Sequence, residues 1–150
     1  MSHVSLSEFA DKVADIMPEV WRCIIKREAC ELFKGKITLP QFVILNVLHR
    51  EGESKMSDIA RFLDVTTAAA TGLVARLVKC GYLVRVYDPQ DRRIIRIKLS
   101  AKGSELVEKT NRQKRQMIID IFGKISQDDR ESYLRILSRM LGILNEGNKS

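Results

Sequence analysis

Arg92 and Arg93 stand side by side in the segment DRRIIRIKLS, residues 91–100. A guanidinium is planar and permanently charged, so it suits a phosphate or the negative potential of a narrow DNA minor groove. Between Arg76 and Lys98 the basic residues are Arg76, Lys79, Arg85, Arg92, Arg93, Arg96 and Lys98, opposed only by Asp88 and Asp91. Lys55, Arg76 and Arg96 are candidates for phosphate contact, and so is the hydroxyl of Ser57. Asp91 would be repelled by that anion; it is expected to shape the turn by accepting hydrogen bonds from arginine or from backbone amides. Just upstream, Thr66, Thr67, Ala68, Ala69, Thr71, Gly72 and Ala75 precede Arg76. None is an Arg, Lys, Asn or Gln able to make a bidentate base contact. Small residues still permit close approach, threonine donates or accepts, and methyl groups meet thymine methyls, so modest direct base reading is expected from Thr67, Ala68 and Thr71. Thr66 is better suited to capping a helix than to reading a base.

Other chemistry is sparse. Cys23, Cys30 and Cys80 are an odd, widely spaced set, which excludes a disulfide framework and zinc-ligand spacing. Cys23 and Cys30 lie about 10 Å apart along one helix at 1.5 Å per residue and cannot bridge within it. The plain expectation for these two is buried, inert thiols, with Cys80 the more accessible; oxidation of any of the three would make a redox switch. His3 and His49 belong to no metal-ligand cluster, so no metal and no cofactor is expected. No phosphate-binding glycine loop, nucleophile elbow or zinc-protease helix motif is present, which leaves an enzyme without residues to act.

The elements that must position these residues read mainly as helices. Ser5 with Glu8 forms a capping box, after which Leu6, Phe9, Val13, Ile16, Met17, Val20 and Ile24 recur at helical spacing, with a kink or restart expected at Pro18. Thr38 with Gln41 opens a second helix with Phe42, Leu45 and Leu48 on one face, ending near Gly52. A short helix over 57–63 turns at Asp64, and Thr66 caps the next, which buries Ala70, Leu73, Val74 and Leu77 and stops at Gly81. That is helix-turn-helix grammar. Residues 82–87 and 94–99 alternate apolar and polar types and predict a hairpin in which Ile95, Ile97 and Leu99 share one face. Ser100 caps a long helix with a polar, solvated middle over 109–116, and a last helix opens at Ser126 and frays from Asn145.

At 150 residues with 45% hydrophobic and 30% charged composition, the chain predicts one globular domain with a true core. No apolar run approaches the roughly 20 residues of a membrane span, and no secretory leader precedes the first helix, so a cytoplasmic location without membrane partners is expected. The net charge of +7 gives a field that attracts polyanions.

The order helix, helix, helix-turn-helix, basic hairpin, helix, helix resembles the MarR family of bacterial transcription regulators over almost the whole chain. The wing signature of that family, Asp-x-Arg followed after five residues by Leu-Thr, is met by Asp91, Arg93 and Leu99, with Ser100 replacing Thr. TLPQF at Thr38, SDIARFLDVT from Ser57, RLVKCGYLVR from Arg76 and SAKG at Ser100 support it. The family often carries a larger polar or basic residue where this chain has Gly72. The resemblance implies a mostly α fold with a small β-hairpin wing, its winged helix-turn-helix over 38–103 flanked by dimerisation helices over 1–36 and 104–146. It further implies a homodimer on a pseudo-palindromic double-stranded DNA operator, with recognition helices in the major groove and wings in the minor groove. A repressor released by a small aromatic effector or by oxidation is the expected mode, with Trp21, Arg22 and His49 as candidate pocket residues. The broad apolar stripes of the first and last helices independently favour burial against a second copy. The alternative is a winged helix that docks proteins without specific DNA binding, since the fold alone does not compel it.

Overall fold

The computed structural model describes residues 4–26, 35 and 37–147; His3 and Cys30 lie outside them. These residues form six helices and one three-stranded antiparallel sheet, in two compact units, Met1–Arg112 and Gln113–Ser150.

The first unit opens with α1 (Leu6–Lys26), whose start is capped by the Ser5 hydroxyl accepting from the Glu8 amide at 3.2 Å. The helix continues through Pro18, so of the kink or restart expected there the restart does not occur, and helix stands on both sides as expected. No residue of α1 is buried. The helix α2 (Leu39–Glu51) carries the full capping box: Thr38 Oγ1 accepts from the Gln41 amide at 3.4 Å, and Gln41 Oε1 accepts from the Thr38 amide at 3.0 Å. Its C-terminal Gly52 takes a φ of 89°, which an L-residue would resist. The strand β1 (Glu53–Lys55) and α3 (Met56–Leu63) follow, and Asp64 turns the chain with a φ of 53°. Then comes α4 (Thr67–Lys79), capped by Thr66 Oγ1 accepting from the Ala69 amide at 3.2 Å. The strands β2 (Leu83–Tyr87) and β3 (Ile95–Leu99) make the hairpin, and α5 (Ala101–Phe122) begins beyond it.

The hairpin is not alone, because β1 pairs with the other edge of β3 to give the order β1-β3-β2. Ser54 faces Ile97 on one side and Arg85 faces it on the other. Three residues, ESK, lack the β-branched signal that marks a strand, and the pairing partner supplies what propensity does not. Only Leu83, Ser54 and Ile97 of the sheet are buried, and they lie over a core of Phe42, Ile44, Leu45, Leu48, Ile59, Ala60, Ala70, Val74, Leu77, Leu106 and Val107. Leu73, expected in that core, is half-buried beside it. The polar middle of α5 is not uniformly solvated: Thr110 is fully buried, and Asn111 Nδ2 donates to Asn46 Oδ1 at 3.1 Å.

The start of α5 is locked against the sheet. The Ser100 amide donates to Tyr82 O at 3.0 Å, its hydroxyl binds Gly81 O, and its Oγ accepts from the Gly103 amide at 3.0 Å. Lys102 Nζ reaches Cys80 O at 2.8 Å and lies 4.7 Å from the Tyr82 ring centroid.

In the second unit α6 (Gln127–Gly147) opens at Ser126, whose Oγ accepts from the Asp129 amide at 3.2 Å. The ring of Phe122 packs at 5.1 Å from that of Tyr133. The helix persists past Asn145 rather than fraying there, and none of its residues is buried.

Candidate nucleic-acid interface

The buried stripe of α4, Ala70, Val74 and Leu77, fixes by helical period which residues look outward. Thr67, Ala68, Ala69, Thr71, Gly72, Ala75, Arg76 and Lys79 are all exposed. The Thr71 hydroxyl donates to Thr67 O at 2.7 Å, so toward a ligand it presents lone pairs rather than its proton. A Cβ built on Gly72 would meet nothing within 4 Å, which makes this a flat, low-relief strip of helix. Thr66 caps the helix, as its spacing suggested, and is itself exposed. Ser57 is exposed in the first turn of α3, one residue inside the helix start at Met56, and half-buried Lys55 occupies the N-cap position without a side-chain cap bond.

The wing is built from its turn outward. The Asp88 amide donates to Ile94 O at 2.9 Å and closes the loop between β2 and β3. Asp88 Oδ1 accepts from the amides of Gln90 at 2.9 Å and Asp91 at 3.3 Å, an Asx turn with Pro89 at its centre. Asp91 then repeats the device, its Oδ1 accepting from the Arg93 amide at 2.9 Å and its carbonyl from the Ile94 amide at 2.9 Å. Arg92 and Arg93 emerge exposed from this turn and carry no ion pair among the described residues; the same holds for Arg76.

Arg96, a candidate for phosphate contact, is engaged within the chain. Its Nε donates to Asp88 Oδ2 at 2.8 Å and lies 3.5 Å from Glu53 Oε1, with the Arg96 side chain 30% and Asp88 12% exposed. In the sheet register Lys55 faces Arg96, so Glu53 is its diagonal neighbour on the same face. The Arg96 guanidinium, seconded by the two turn amides, holds the Asp88 carboxyl below the usual carboxylate range. Sequence reasoning missed Asp88 and Glu53. The Asp-Pro pair at 88–89, a turn-initiating dipeptide, was the available signal for the first; for the second there was none, because β1 itself was unseen.

The candidate pocket residues are all exposed. Trp21 and Arg22 are exposed on α1, with Arg22 paired to Glu19 on its own helix, and His49 is exposed on α2. A cavity of ≈ 350 Å³ is lined instead by Val47, Glu51, Glu53, Ser54, Asp58, Ile59, Arg61 and Phe62, and contains none of the three. Cys23 is exposed, against the expectation of a buried thiol, because no residue of α1 is buried among the described residues. Cys80 is exposed as expected. Among the described residues no group of His, Cys, Asp and Glu could hold a metal ion. No helix there is long and apolar enough to cross a membrane.

The helix-turn-helix of α3 and α4 beside a three-stranded sheet, with a basic tip between β2 and β3, defines a winged helix-turn-helix fold. The chain belongs to the MarR family, whose model matches residues 37–95. It is 33% identical over 111 residues to the uncharacterized HTH-type transcriptional regulator YhbI of Bacillus subtilis, covering 74% of this chain and 71% of that protein. The fold matches FabT of Streptococcus pneumoniae, solved in complex with DNA, with a TM-score of 0.77 at 20% identity over 91% of this chain and 98% of FabT. It also matches Staphylococcus aureus MepR bound to ethidium bromide, with a TM-score of 0.64 at 25% identity over 87% of this chain and 95% of MepR.

Proposed function

We propose that the protein is a repressor that binds a pseudo-palindromic operator as a homodimer and is released by a small ligand or by oxidation. The observation that carries the DNA reading is the pairing of an exposed, flat α4 face with a structured wing tip whose two arginines are unpaired. In this reading Thr67, Ala68, Ala69, Thr71 and Gly72 lie on base edges in the major groove. Arg76, Thr66 and Ser57 meet the backbone, and Arg92 and Arg93 enter the minor groove. Such a helix discriminates little by itself, so the wing supplies more than the usual share of affinity. The FabT–DNA complex shares the fold and supports this placement.

Dimerisation through α1 and α6 is supported by exposed Leu6, Phe9 and Ile16 on the former and Leu134, Leu141 and Leu144 on the latter. Apolar patches of that extent mark interaction surfaces, and a two-fold dimer calls for a symmetric operator. The ethidium complex of MepR supports release by a small ligand, and exposed Cys23 and Cys80 offer thiols for oxidation.

The test is duplex binding across a salt series, first on random DNA and then on sequences selected from a random library. Log affinity should fall linearly with log salt, and Arg93→Ala should abolish tight binding to the selected sequence. A flat salt response favours a protein-docking winged helix and refutes the reading; near-normal binding by Arg93→Ala refutes the dominance of the wing.

A further inference from the structure

We propose that Asp88 is a positioning residue of the wing, tying its tip through Arg96 to β1 and so fixing the reach of Arg92 and Arg93. This rests on the reading that the tip arginines contact DNA. Asp88 is nearly buried although residues 89–93 beside it are exposed, and its two carboxylate oxygens are divided between different tasks. Oδ1 gathers the Gln90 and Asp91 amides and sets the turn, whereas Oδ2 takes the Arg96 Nε at 2.8 Å. Arg96 passes the restraint on, since Glu53 lies 3.5 Å away on the strand that leads directly into α3. The wing tip is thereby joined by side chains to the segment that starts the helix-turn-helix, in addition to the β1–β3 ladder. The second turn, Asp91 Oδ1 to the Arg93 amide, hangs from the first.

Charge separates this role from its rivals. Glu53 and Asp88 together place two negative groups against one guanidinium, so by Coulomb attraction alone the network weakens the hold on a polyanion. Any affinity that Asp88 contributes must then be geometric. Were Arg96 a phosphate donor held back by Asp88, neutralising Asp88 would strengthen binding. As a positioning residue, its neutralisation weakens binding although a negative charge has been removed.

The experiment uses full-length protein and a duplex selected by the wild type from a random library. Affinity at fixed salt is compared for wild type, Asp88→Asn, Arg93→Ala and the double variant, with folding followed by circular dichroism. The expected result is about tenfold weaker binding by Asp88→Asn, the scale of one lost wing contact. The double variant should bind more weakly than Arg93→Ala by less than the loss Asp88→Asn causes in the wild type, because only Arg92 is left to be positioned. Wild-type or tighter binding by Asp88→Asn, or losses that multiply in the double variant, overturns the proposal. If Asp88→Asn fails to fold, Arg96→Lys serves. It keeps the charge, loses the planar fork and should also bind more weakly, and wild-type affinity there overturns the proposal equally. A wild-type protein that selects no duplex at all refutes the DNA-binding reading itself, and with it this role for Asp88.

Discussion

Gly72 and Gly103 both lie inside helices, and intrinsic propensity predicts that alanine stabilises each by up to about 1 kcal/mol. The structure separates them. At Gly72 an added Cβ meets nothing within 4 Å, so Gly72→Ala keeps the full gain. At Gly103 the same atom would sit 2.0 Å from Tyr82 O, 3.0 Å from Tyr82 C and 3.1 Å from Leu99 Cδ2. An ordinary carbon–oxygen approach is about 3.3–3.6 Å, so the start of α5 must retreat by more than about 1 Å from backbone that cannot rotate away. Tyr82 O is also the acceptor of the Ser100 amide that opens α5, at 3.0 Å, and retreat stretches that bond. Overpacking costs about 1–3 kcal/mol and a weakened hydrogen bond about 1 kcal/mol more. Against the propensity gain, Gly103→Ala should be net destabilising by about 1–3 kcal/mol. At roughly 2–4 °C per kcal/mol for a chain of this size, its Tm should fall by about 2–12 °C, while that of Gly72→Ala rises by about 1–4 °C. Thermal unfolding by far-ultraviolet circular dichroism, at one protein concentration so that any self-association acts equally on both variants, reads both. Equal shifts of the same sign would refute the close-approach argument, and a stabilised Gly103→Ala would refute it outright.

Two further outcomes are expected. Leu137→Glu with Leu141→Glu, both on exposed positions of α6, should convert a dimer to monomer in sedimentation velocity; an unchanged dimer would place the interface elsewhere. The Asp88 carboxyl is held below the ordinary Asp value of about 3.9, so its contribution to wing order is complete above that pH and is lost as pH falls through the lower, folded value. Amide chemical shifts of Gln90 and Asp91 should therefore titrate with a midpoint below that of a free aspartate, and a midpoint at or above it would contradict the Arg96 pairing.

Much of the fold was legible because its signals are local. Caps at Thr38, Thr66 and Ser126 announce helices through a hydrogen bond spanning three residues, and left-handed backbone at Asp64, Gly52 and Gly81 marks turns. The helix-turn-helix and the hairpin were readable from such cues, and with them the outward face of α4. What escaped notice depends on distant partners. The strand β1 exists because β3 offers it an edge, and Thr110 is buried although the residues around it on α5 are polar or charged. Cys23 illustrates the reverse error, a thiol in an apolar neighbourhood in sequence that is nevertheless exposed among the described residues.

The sequence by itself determined the class of protein, the boundaries of most elements and the basic wing, because period, capping and charge act within a few residues of one another. Only the tertiary structure decided which charges are paired within the chain. Arg93 and Arg96 are three residues apart and chemically identical, yet one is free at the tip and the other is bound between Asp88 and Glu53. An ion pair depends on distance in space, and Glu53 and Arg96, far apart in sequence, come within 3.5 Å only when β1 pairs with β3.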